Sequence, residues 1–229
     1  MFMFYDSNYL VFVIIPMLIG FWAQYKISVT YKQYSSIPCR NGYTGYQAAR
    51  RILDENGLQN VRIERVKGSL TDHYDPRTNV VRLSEVVYSS SSVAAVGVAA
   101  HECGHAVQYA QGYTPMKIRG AIVPVANFGS KLAVPLVLIG LLLSWYPIAY
   151  VGLIGYALIA LFQIITLPVE FNASNRAVAA LSGMNITEEE QKGIKKVLSA
   201  AALTYVAAMI AAVTQMLRMA LIVSRRDRR

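Results

Sequence analysis

The sequence predicts a mostly helical α+β integral membrane protein, with one small polar domain and three or four transmembrane helices. Two observations carry that reading. Only 15% of the 229 residues are charged while 55% are hydrophobic, and a soluble domain carries roughly a quarter charged residues. The uncharged positions are also contiguous: 7–25, 132–169 and 197–217 contain no Asp, Glu, Lys or Arg. A span needs about 20 mainly apolar residues, so the middle stretch accommodates two. The positive mean hydropathy excludes a disordered chain. Two cysteines, Cys39 and Cys103, are too few for a disulfide framework.

The first span, 7–25, has no Lys or Arg before it and no small-residue cleavage pattern after it, so it reads as a helix that stays. Positive charge begins immediately behind it, at Lys26, Lys32 and Arg40. The positive-inside rule then places the N-terminus outside and residues 26–131 in the cytoplasm. The stretch 132–169 forms a transmembrane hairpin, turning where Ser144 and Pro147 sit among Trp145, Tyr146 and Tyr150. Aromatic side chains of that kind favour the headgroup level. The hairpin returns residues 170–196 to the side of the polar domain. A fourth crossing at 197–217 is favoured by its length, although it leaves the basic tail 218–229 on the outer side.

Within 26–131, Thr44 and Gln47 form a capping box for a helix through residues 46–56, which Gly57 stops. Residues 61–67 alternate apolar and charged, as a half-buried strand does. Turn residues Asp75 to Asn79 precede a second short strand at 80–83, and the two strands are expected to pair as an antiparallel hairpin with a long loop. The hydroxyl run Ser89 to Ser92 can cap the next helix, 93–111, which Gly112 closes.

That helix carries His101-Glu102-Cys103-Gly104-His105, an H-E-x-x-H pattern. Residues four apart on a helix share a face, so both imidazoles can ligate one metal ion, and zinc fits this donor type. Glu102, next to the first ligand, is placed as the general base and then acid of a zinc-activated water. Two of the three histidines of the chain lie in the pattern. Two residues offer the third ligand. His73 lies in a loop before a turn. Glu170 is better placed, because a carboxylate at the end of an apolar helix is costly unless solvated or paired with a cation. Helix phase turns Cys103 away from the ligand stripe, as a small core residue. His73 is a candidate substrate or oxyanion contact, in a strand edge that can pair with an extended peptide. Arg176, on the segment after Glu170, is a candidate for polarising a carbonyl or for meeting a lipid headgroup.

The chain resembles the YugP-type zinc-dependent membrane proteases, a group of neutral zinc metallopeptidases. The resemblance rests on residues 72–88 (DHYDPRTNVVRLSEVVY), 98–108 (VAAHECGHAVQ), 124–127 (PVAN), 166–177 (TLPVEFNASNRA) and 201–208 (AALTYVAA). It implies a zincin-like metalloprotease fold for 26–131, one Zn²⁺ per chain, and Glu170 as the third ligand beside His101 and His105. More distantly related families often place a carboxylate soon after the ligand Glu, where this chain has Asn172 and Ser174. Asn172 can support an imidazole by hydrogen bonding without raising its basicity as a carboxylate would.

These features predict a zinc endopeptidase that cleaves membrane-associated protein or peptide substrates near the cytoplasmic surface of the cell membrane. The rival reading is a non-catalytic zinc-binding membrane scaffold or chaperone, which would have no use for an uncoordinated Glu102. A carrier would want ionisable groups inside the spans, which are empty of charge. The formal charge of +9 is scattered near the membrane and ends in a basic tail, which suits lipid headgroups and not nucleic acid. Substrate identity and oligomeric state have no signature in the sequence.

Overall fold

A computed structural model describes residues 9–228; the first two positions of the expected span 7–25, and Arg229 of the tail, lie outside the described residues. The chain is an α+β, mostly helical membrane protein. A π-helical turn, Leu10–Ile14, leads into α1 (Ile15–Ser35); α2 (Gly45–Glu55), β1 (Arg62–Val66), β2 (His73–Asp75), β3 (Val80–Ser84), α3 (Glu85–Ser89), α4 (Val93–Ala110), α5 (Thr114–Leu142), α6 (Tyr146–Ser182) and α7 (Glu188–Asp227) follow. Among the described residues four helices are long and apolar enough to cross a bilayer: Leu10–Ser35, Thr114–Leu142, Tyr146–Ser182 and Glu188–Asp227. The fold forms two compact units.

The apolar unit contains residues up to Gln24, Lys117–Leu167 and Leu203–Arg229. Its α5–α6 hairpin turns at Ser144, which has a left-handed φ of 52°, while the Trp145 amide donates to the Gly140 carbonyl at 2.8 Å. The two helices touch through small residues: a Cβ on Gly140 would sit 2.5 Å from the Ala149 nitrogen, and one on Gly152 2.7 Å from the Val137 nitrogen. Without water to drive apolar side chains together, such backbone approach is how helices gain packing in lipid. Residues 197–217 lie inside the unbroken α7. Its C-terminal part meets the beginnings of α1 and α6: Arg218 lies over the Tyr9 ring at 5.1 Å and the Tyr150 hydroxyl donates to Asp227 at 3.1 Å. The expected boundary at Lys131 falls within α5, which starts at Thr114; one charge interrupts an apolar run without interrupting backbone hydrogen bonding.

The other unit contains Tyr25–Met116 and Pro168–Ala202. Its core joins Ile52 and Leu53 of α2, Leu83 of β3, Val96 and Ala100 of α4, Leu181 of α6 and Ile194 of α7. The Thr44–Gln47 capping box is present, with both reciprocal bonds made, and Gly57 and Gly112 follow their helices with φ of 73° and 65°. Ser92 caps α4 by accepting from the Ala95 amide at 3.2 Å.

The strand pairing differs from the expectation. β1 runs parallel to β3, from Arg62 opposite Val80 to Val66 opposite Ser84. The antiparallel hairpin is formed instead by β2 and β3, with Tyr74 opposite Val81, so the sheet order is β1-β3-β2. The turn explains it. Asp75 accepts from the Arg77 amide at 2.9 Å and the Thr78 hydroxyl at 2.7 Å, and Asn79 takes a left-handed φ of 55°. That tight turn draws His73–Asp75 onto one edge of the largely buried β3, leaving the other edge for β1. His73 is therefore on a strand, not in a loop.

Candidate metal centre

The α4 helix brings His101 and His105 to one face with their ring centroids 4.8 Å apart, nearly edge-on. α6 does not end at Pro168. It continues to Ser182, so Glu170, Asn172, Ser174 and Arg176 belong to one helix facing α4. Glu170 Oε2 lies 3.3 Å from His101 Nε2 and 3.6 Å from His105 Nε2. The three ligand atoms lie within 4.8 Å of one another and could hold a metal ion.

Gly104 makes this approach feasible. A Cβ there would stand 2.6 Å from the main-chain oxygen of Ala173, a contact with rigid backbone and not with a side-chain end that can swing away. The glycine inside the H-E-x-x-H pattern thus sets how closely the helix bearing Glu170 packs.

The site is buried. Glu170 is 2% exposed, and His105 and Glu102 are 7% and 8% exposed. Burial alone would lower the pKa of His105. The hydrogen bond that its ring donates to Glu170 and the charges of Glu102 and Glu170 outweigh it and raise that pKa. Two nitrogen donors and a carboxylate within an anionic, water-poor pocket suit a small divalent cation, and this donor set is one that zinc takes in catalytic sites.

Each imidazole is held from behind. His101 Nδ1 lies 3.2 Å from the Ser174 hydroxyl, and His105 Nδ1 lies 3.0 Å from Gln108 Oε1. The Gln108 amide nitrogen donates to the Val169 carbonyl at 2.8 Å and to Asn172 Oδ1 at 2.9 Å. Asn172 also accepts from Arg176 Nε at 2.7 Å, and Arg176 Nη1 donates to Gln111 Oε1 at 2.7 Å. Asn172 thus reaches His105 through Gln108. Gln108, Gln111 and Ser174 were not expected. Helix phase could have found two of them, since Gln108 is three residues beyond His105 and Ser174 is four beyond Glu170.

The remaining candidates are elsewhere. His73 is exposed on β2, its Nδ1 2.8 Å from the Thr71 carbonyl oxygen. Cys103 is fully buried on another face of α4, donating to the Ala49 carbonyl at 3.5 Å; burial pushes its thiol up, away from thiolate.

A family model described as "Putative neutral zinc metallopeptidase" matches residues 9–224. The "Putative membrane protease YugP" of Bacillus subtilis (strain 168) is 47% identical over 205 residues, covering 89% of this chain and 91% of that protein. No solved structure matches. With a match along nearly its whole described length, the chain belongs to the neutral zinc metallopeptidase family.

Proposed function

We propose that the protein is a membrane-bound zinc endopeptidase whose ligands are His101, His105 and Glu170 and whose general base is Glu102. The observation that carries this reading is the convergence of three ligand atoms from two helices beside a carboxylate that does not belong to the triad. When bound, zinc supplies a Lewis acid and lowers the pKa of its water to about 7. With the metal held by His101, His105 and Glu170, Glu102 would accept a proton from the attacking water and return it to the departing amine. Its adjacency to His101 and the influence of its charge on His105 support that role. His73 is a candidate substrate or oxyanion contact, exposed on β2, one of the two edge strands of the sheet.

The basic residues behind the first span support a site on the cytoplasmic side, with membrane-associated proteins or peptides as substrates. We assign 26–131 and 170–196 to that side, 7–25, 132–169 and 197–217 to the bilayer, and 218–229 to a basic tail at headgroup level.

Two variants test the reading. Purified wild-type protein is expected to hold about one zinc per chain. Glu102→Gln is expected to keep that zinc while losing peptide hydrolysis by 100-fold or more, on the order general-base catalysis contributes. Equal hydrolysis by this variant would remove Glu102 from the mechanism, and a zinc-loaded wild type without peptidase activity would favour a scaffold. Glu170→Ala is expected to lose zinc on dialysis, whereas normal occupancy would place the third ligand elsewhere. Comparing membrane proteomes of cells carrying wild-type and Glu102→Gln protein then identifies substrates as species that accumulate with the variant.

A further inference from the structure

The hydrogen bonds behind His105 have a direction that can be read from their ends. An arginine side chain only donates, so the Asn172 atom 2.7 Å from Arg176 Nε is its carbonyl oxygen. That oxygen also lies 2.9 Å from the Gln108 amide, which must therefore present its nitrogen. The Val169 main-chain carbonyl, which only accepts, lies 2.8 Å from the same nitrogen and demands the same orientation independently. The Gln108 oxygen is then turned toward His105 Nδ1 at 3.0 Å. Two acceptors cannot bond, so Nδ1 carries the proton. In the neutral ring Nε2, the nitrogen facing Glu170, is then left with its lone pair for a metal. His101 has no such constraint, because the Ser174 hydroxyl at its Nδ1 can donate or accept.

We propose that Gln108, Asn172 and Arg176 form a polarity relay that fixes His105 in its metal-binding tautomer, with Arg176 as a positioning residue for the metal. The relay rests on the assignment of His105 as a ligand. It needs no carboxylate. An arginine at one end and a main-chain carbonyl at its middle impose the order, while the link touching His105 stays neutral. A neutral support orients the ring without adding negative charge to it, so the metal keeps more of its power to acidify water. Gln108 is fully buried, so its amide has no water to exchange partners with. Gln111 completes the anchor by accepting from Arg176 Nη1 at 2.7 Å.

The test measures zinc affinity of full-length protein in detergent by competition with a chromophoric chelator. Beside it runs ¹⁵N-histidine NMR of the zinc-loaded protein, practical because the chain has 3 histidines. Arg176→Ala and Asn172→Ala are expected to weaken zinc binding by about 10-fold to 100-fold, the range for supports of this kind. Both should also abolish slow solvent exchange of the His105 Nδ1 proton. Asn172→Asp keeps an oxygen for both donors and is expected to stay within about 3-fold of wild type, which separates lost orientation from a misfolded helix. Zinc affinity and proton protection unchanged in both alanine variants would overturn the relay while leaving the metal site intact. Arg176→Ala that binds zinc as wild type but loses hydrolysis would likewise overturn it, making Arg176 a substrate contact. A wild type that binds no zinc overturns the metal site and the relay together.

Discussion

At the scale of single residues, Gly104 and the Asp pair near β2 carry the clearest consequences. Gly104→Ala adds a methyl that would sit 2.6 Å from the Ala173 carbonyl oxygen, and overpacking of that kind costs about 1–3 kcal/mol. The expected outcome is weakened zinc retention together with a lower Tm; unchanged values of both would mean that α6 can shift without moving Glu170. Asp72 and Asp75 should titrate with opposite effects. Burial raises the Asp72 pKa, although the Ser84 amide and hydroxyl donate to it. Its protonated form is favoured on folding, so its contribution to stability is present below about 3.8 and fades as pH rises through the raised value. Asp75 is lowered to about 2 by hydrogen bonds from Thr78 and the Arg77 amide, so its contribution is present above about 3.8 and is lost as pH falls toward 2. Asp72→Asn is therefore expected to match or exceed the wild-type Tm at pH 7, and Asp75→Asn to fall below it; the reverse order would contradict both assignments. The H-E-x-x-H residues were legible in sequence because their chemistry is compressed into five letters. Gln108 lies at helical spacing from His105, but that spacing does not reveal the partners on α6 that orient its amide.

At the scale of elements, helix boundaries set by local chemistry were readable and pairings set by competition were not. Thr44 and Gln47 cap α2 as their spacing requires, and Thr44→Ala is expected to cost about 1 kcal/mol in a denaturation measurement. A Tm equal to wild type would show that packing alone holds that end. The sheet was harder. The alternation of 61–67 and the apolar run at 80–83 mark strands, but neither pattern fixes direction, and the intervening His73–Asp75 is too short to announce itself as a strand. The end of the uncharged stretch at 169, just past Pro168, is not the end of a helix. α6 passes through it, and the turns beyond it carry Glu170, Ser174 behind His101, and Asn172, which holds Gln108 behind His105.

At the scale of the whole molecule, the low average charge is a blend of two environments, and the +9 sorts between them. Both native cysteines are buried, so the proposed orientation can be checked with introduced ones. Ser69→Cys, on an exposed loop of the polar unit, is expected to react with a membrane-impermeant maleimide only after permeabilisation, and Ser144→Cys, at the exposed hairpin turn, without it. The opposite pattern would invert the topology. The candidate ligands themselves come from two places in the chain: His101 and His105 lie before the α5–α6 hairpin, and Glu170 lies after it. On the proposed ligand set, the site therefore stays incomplete during synthesis until the hairpin has been made. A ribosome-stalled chain ending at Leu167 should, on that same set, hold no zinc in a metal assay, so that the proposed activity would be silent in the nascent polypeptide.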